Sequence, residues 1–153
     1  MATDAGRFDA HDVEAAVHVF NLVLAEPGRW CNLFFEPIED DSIPPESPLF
    51  GFLAARGPAN PLATIMTPKK DVDYQLEVGI QHRAGTKAAA QLKEAELYGP
   101  TTARVVQDHP RRGLVVKWPQ EQDMAALAGW LFPAMRELAR APSTNAILWE
   151  LQD

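Results

Sequence analysis

Residues 74–82 read Tyr-Gln-Leu-Glu-Val-Gly-Ile-Gln-His (YQLEVGIQH). Tyr74, Leu76, Val78 and Ile80 fall on one side of an extended chain, and Gln75, Glu77, Gly79 and Gln81 on the other. That alternation marks a strand with one face on a core and one face in a wetter setting. The fold follows from what lies on either side of this strand.

Upstream, three more runs have strand character. Residues 30–36 (WCNLFFE) put Cys31, Leu33 and Phe35 on one side and Trp30, Asn32 and Phe34 on the other. Residues 49–56 and 62–67 are joined by GPANP, a turn-forming cluster, and PKKD (68–71) turns into the central strand. Between the first two runs lies EPIEDDSIPPESP (36–48), with four prolines and five carboxylates, which predicts a surface loop with 39–46 as an electrostatic element. At the start of the chain, residues 9–26 predict a helix with Asp9 as N-cap, Phe8 and Val13 as its staple, and Pro27-Gly28 as its stop. Its stripe is Val13, Ala16, Val17, Phe20, Val23 and Leu24.

Downstream, Thr86 caps a second expected helix over 87–98, stopped by Gly99-Pro100. Strand runs at 104–107 and 114–118 flank the hairpin connection DHPRRG. A third helix over 120–140 has Met124, Leu127, Leu131 and Leu138 on its apolar side. Pro133 inside it predicts a kink, or a second helix opening there. Residues 147–151 add a last short strand. The order α-ββββ-α-ββ-α-β predicts a single α+β domain over 1–153: a mostly antiparallel sheet of about five to seven strands with three helices packed mainly on one face.

Composition bounds the function. A chain of 153 residues, 46% hydrophobic and 23% charged, is long enough for a real core and too apolar for wholesale disorder. No apolar run approaches a membrane span, no secretory leader is visible, and the single cysteine Cys31 has no internal partner. A cytoplasmic location is expected. The acidic balance (net charge −7) argues against general affinity for nucleic acid. Charge is uneven: residues 1–48 hold 10 acidic and 2 basic side chains, residues 83–117 hold 7 basic and 3 acidic. That asymmetry suits two solvated surfaces of opposite sign, or complementarity with a partner or a second copy of the chain.

No constellation for catalysis is legible. His11 and His18 stand two turns apart on the first helix with Glu14 nearby. Helical zinc pairs use one-turn spacing, so surface residues are the expectation. His82 and His109 have no serine or cysteine placed beside them by a motif, and Cys31 has no local base to lower its pKa. Ser42, Ser47 and Ser143 lack the GxSxG elbow. Phosphate-cradling glycine motifs are absent. Asp71, Asp73 and Glu77 resemble a Mg²⁺ carboxylate set of the restriction-nuclease type, but Gly79 stands where the lysine belongs. No metal and no cofactor is expected.

The wet side of the central strand is the better candidate. Gln75, Glu77 and Gln81 supply hydrogen-bonding groups, Gly79 leaves the backbone approachable, and Trp30 and Phe34 add aromatic anchors if they share that side. The element order is similar to that of the dimeric secretion chaperones, over most of the chain. That resemblance implies a protein that holds an unfolded stretch of a partner along its surface, and it is one of architecture. The expectation is a non-catalytic binding or adaptor domain for a protein or peptide partner, with a homodimer as one candidate assembly. The alternative is a small-ligand protein or enzyme with an apolar pocket between sheet and C-terminal helix, near Trp118, Trp130 and Met135. A third reading, nucleic-acid binding, requires Lys87, Lys93, Arg104, Arg111, Arg112 and Lys117 on one face.

Overall fold

The computed structural model describes residues 2–38, 59–68 and 73–153. Seven strands make one antiparallel sheet: β1 (Ala2–Asp9), β2 (Trp30–Pro37), β3 (Leu62–Met66), β4 (Tyr74–Gln81), β5 (Arg104–His109), β6 (Gly113–Pro119) and β7 (Ser143–Gln152). Their spatial order is β1-β7-β2-β3-β4-β6-β5. Among the described residues three helices, α1 (Val13–Leu24), α2 (Ala88–Glu94) and α3 (Met124–Leu138), pack on one face. The fold is the expected α+β arrangement.

The period-2 pattern builds the helix-bearing face. Cys31, Leu33 and Phe35 of β2, Ala63 and Ile65 of β3, and Leu76, Val78 and Ile80 of β4 are buried there. Leu114, Val116 and Trp118 of β6 and Ile147 and Leu151 of β7 continue the layer. Each apolar side chain removed from water contributes on the order of 1.5–3 kcal/mol, so this layer dominates stability. The helices supply the opposite wall. Phe132 of α3 is its hub, with ring centroids 5.8 Å from Phe8, 6.3 Å from Phe20 and 6.4 Å from Phe35. One ring thereby ties α3 to β1, α1 and β2.

The chain begins differently from the sequence expectation. Residues 2–9 form β1, pairing with β7, and α1 starts at Val13, capped by the Asp12 carboxylate accepting from Ala15 N–H at 3.1 Å. Asp9 instead accepts from His11 N–H at 2.8 Å in the turn between strand and helix. The short α2 ends at Ala95 because Glu96 takes the left-handed conformation (φ 60°), and Leu97 N–H closes onto the Leu92 carbonyl at 2.9 Å. α3 runs as one helix through Pro133, which lies on its exposed side, as does Gly129, whose carbonyl loses its i+4 amide donor to the proline. The acidic 39–46 element and the strand expected at 49–56 lie outside the described residues.

Two glycines are required by packing. Gly113 (φ 90°) opens β6 so close to β4 that a Cβ would sit 2.5 Å from the Ile80 carbonyl oxygen. At Gly6 of β1, a Cβ would meet the Trp149 ring at 2.8 Å, so the indole lies over this strand in the space the glycine leaves.

Candidate functional site

The register fixes what shares the other face of the sheet. Cys31 opposite Ile65 and Leu151 belongs to the helix side, so Trp30, Asn32 and Phe34 point the other way. Three cross-strand rows result. Phe34 stands between Leu148 and Leu62, which in turn faces Gln81. Asn32 stands between Glu150 and Thr64, which faces Gly79. Trp30 stands between Gln152 and Met66, which faces Glu77. Two apolar rows thus flank a polar one, in which Thr64 Oγ1 donates to Asn32 Oδ1 at 2.7 Å. Trp30, Phe34, Leu62 and Leu148 are half-buried and Met66 is 38% exposed. No described helix covers these rows.

The structure therefore brings Trp30, Phe34, Glu77 and Gln81 onto one surface. Glu77 lies opposite Lys117 of β6, whose ammonium stands 5.7 Å from the Tyr74 ring centroid. Gln75 is separate. It sits at an irregularity between Tyr74 and Leu76, and its Nε2 donates to the carbonyls of Pro119 at 2.9 Å, Gln120 at 3.5 Å and Gln122. Its amide holds the β6–α3 turn and is not offered to the rows above. Gly79 has nothing near a notional Cβ except the Thr64 carbonyl at 3.8 Å, so the fold does not require glycine there. Leu62, Met66, Leu148, Asn32 and Thr64 were not singled out from sequence, because no local pattern reveals which residues of three separate strands become neighbours.

The residues of the alternative pocket divide. Trp118 and Trp130 make a tilted ring contact with centroids 5.8 Å apart, yet only Trp130 lines the cavity of about 280 Å³ beside α2 and β5. Trp118 is buried, and Met135 is enclosed in the core. The six basic residues of the nucleic-acid reading are also split. Arg104 and Lys117 are paired across β5 and β6, Lys87 and Lys93 are on and beside α2, and Arg111 and Arg112 are in the hairpin turn.

Histidine and cysteine have structural occupations. His82 is 1% exposed, with Nδ1 accepting from Ala84 N–H at 3.2 Å, and burial pushes its pKa down. His109 Nδ1 accepts from the Arg111 and Arg112 amides, both at 3.1 Å, and so closes the hairpin. His11 contacts Asp9 on the surface, and that turn, chiefly the His11 amide, holds the Asp9 carboxyl below its usual range. Burial pushes the Cys31 thiol up to about 12, so the thiolate needed for attack is suppressed. Of the carboxylate trio, Asp71 lies outside the described residues, and among those described no three metal-ligating side chains converge. No described helix is long and apolar enough to cross a membrane. No known protein family, no curated protein and no solved structure matches the chain.

Proposed function

We propose that this protein is a non-catalytic binding or adaptor domain that takes a protein or peptide partner across the face of its sheet that no described helix covers. One observation carries the reading: two apolar rows, Leu148-Phe34-Leu62 and Trp30-Met66, lie on a sheet face that no described helix covers. Half-buried aromatics surrounded by polar side chains are the composition of protein contact surfaces. Trp30 and Phe34 are the anchors. Glu77 and Gln81, at the β4 end of those rows, supply hydrogen bonds that fix register and select the partner. The partner is another protein or a second copy of this chain, and the cytoplasm is the proposed location.

The test compares partner capture by the wild-type chain with capture by Trp30→Ser/Phe34→Ser and by Glu77→Ala/Gln81→Ala, with thermal unfolding run beside each. The reading expects the first variant to lose capture and the second to weaken it, with both still folding cooperatively. Undiminished capture by both would reject it. Sedimentation of the isolated wild-type chain then separates self-association from a foreign partner.

A further inference from the structure

Apart from the Cys31 thiol, His82 is the one ionisable group buried among the described residues, at 1% exposure. It follows β4 directly, and the alternation that buries Leu76, Val78 and Ile80 carries its ring inward too. Nδ1 accepts from Ala84 N–H at 3.2 Å, so the ring is neutral and its single proton sits on Nε2. Nε2 is buried and makes no hydrogen bond to the described residues. The ring's bond is thus to the backbone of the segment that leads into α2, and it needs the Nδ1 lone pair.

That segment is thinly held. Gly85 turns it at φ 80°, Lys87 caps α2 without a side-chain hydrogen bond, and α2 has only seven residues. A helix of that length does not stand alone in water. Ala88 and Leu92 are its buried residues. Gln91 Nε2 donates to the Glu137 carbonyl at 2.9 Å, and Trp130 Nε1 to the Leu97 carbonyl at 3.3 Å. Arg140 Nη2 reaches the Ala84 carbonyl at 3.4 Å and Gln91 Oε1 at 3.2 Å.

A second proton would sit on Nδ1 and face the Ala84 N–H donor to donor. The charges that act on the ring come from β5 and from just beyond α3: Asp108 favours the charged form and Arg140 opposes it. Arg83 and Lys87 add positive charge within the segment, and Glu137 of α3 is engaged by Gln91, whose Nε2 lies 3.3 Å from its Oε1. One Asp108 carboxylate oxygen is buried without a hydrogen-bond partner, so its pull on the ring acts through space. Burial is the largest influence and outweighs it, which holds the ring's pKa below its ordinary 6.5. A ring released to water regains that ordinary value. The closed corner is therefore fully favoured above pH 6.5 and loses ground as pH falls below it toward the native pKa.

We infer that His82 is an acid-sensitive latch: on taking up a proton it lets go of Ala84 and frees residues 83–97, α2 included, from the sheet and α3. The sheet and α3 stay folded. The cavity of about 280 Å³, walled on one side by Ala89, Leu92 and Leu97, opens there. The latch belongs to the helix-bearing side and stands or falls independently of the Trp30–Phe34 rows.

The experiment is hydrogen exchange of the full chain, read by mass spectrometry at pH 6.5 and at one unit to either side, with rates corrected for intrinsic pH dependence. From the highest to the lowest pH, peptides within 83–97 should lose protection by up to about tenfold, the limit set by an ordinary histidine pKa in the released form. Peptides of β2 and β7 should hold theirs. His82→Asn keeps an acceptor near the Nδ1 position but cannot charge, and should flatten the dependence at 83–97. Ring nitrogen shifts of His82 in the wild type serve if that variant does not fold. They should show the proton on Nε2 above pH 6.5, and no imidazolium while the Ala84 amide stays protected. Protection of 83–97 that ignores pH, falls equally across the sheet, or falls just as far in His82→Asn would overturn the inference. So would an imidazolium held within the closed corner, which would make Asp108 its partner and leave the corner insensitive to acid.

Discussion

The two faces of the sheet are made by the same strands, residue by alternate residue, and are built to different rules. On the helix side of β2 and β4, Cys31, Leu33, Phe35, Leu76, Val78 and Ile80 are apolar and closed from solvent. On the other side, Trp30, Asn32, Phe34, Glu77 and Gln81 mix aromatic, amide and carboxylate groups and remain half-buried. The first face has already exchanged water for protein contact. The second has made that exchange only in part, and the comparison is breakable by mutation.

The largest effects belong to the helix side. Leu33→Ala should lower unfolding free energy by about 3 kcal/mol, while Phe34→Ala, its chain neighbour on the other face, should cost about 1 kcal/mol or less despite removing more atoms. Denaturant unfolding of the pair measures this directly, and equal losses would erase the distinction between faces. Next come the glycines. Gly113→Ala forces a Cβ onto the Ile80 carbonyl at a positive φ and should cost about 2 kcal/mol or more. Gly79→Ala, facing outward from the adjacent strand, should be neutral or slightly stabilising, so a large loss there would mean the outer face is packed.

His82 sharpens the contrast through pH. Burial is the main cause of its lowered pKa, with Asp108 opposing and Arg140 assisting. The native state therefore prefers the neutral ring, and the unfolded chain binds the proton more readily near 6.5. His82 thus contributes stability that is fully present above that pH and is lost as pH falls below it toward the native pKa. Melting temperatures across this window should decline in the wild type and decline less in His82→Leu. Parallel curves would remove His82 from the account. Smallest of all, Glu77→Ala and Gln81→Ala should each leave stability within about 0.5 kcal/mol of wild type.

Much of this architecture was legible because burial writes itself into local period. The alternation of residues 74–82 and the stripe of Met124, Leu127, Leu131 and Leu138 mark elements whose inner faces are buried as the pattern requires. β1 is not legible in the sequence because Phe8 is its one large apolar residue and Gly6 breaks its pattern. Its strand character comes from β7, more than a hundred residues away. α2 is shorter than the expected 87–98 because Glu96 takes a left-handed conformation that nothing in its side chain announces. At the candidate site, Trp30 and Phe34 could be assigned a side but not neighbours, since Leu62, Met66 and Leu148 reach them only through inter-strand register. Gln75 fits the alternation and still leaves the face, because a local irregularity turns its amide to the Pro119 carbonyl.

The most direct measurement places a photo-crosslinking benzoylphenylalanine at Met66, on the face that no described helix covers, and in a second chain at Ala125, on the solvent side of α3. After illumination in cells expressing each chain, Met66 should yield a discrete adduct of higher mass and Ala125 none. Adducts of equal yield from both positions, or none from Met66, would contradict the claim that this face of the sheet is where a partner sits.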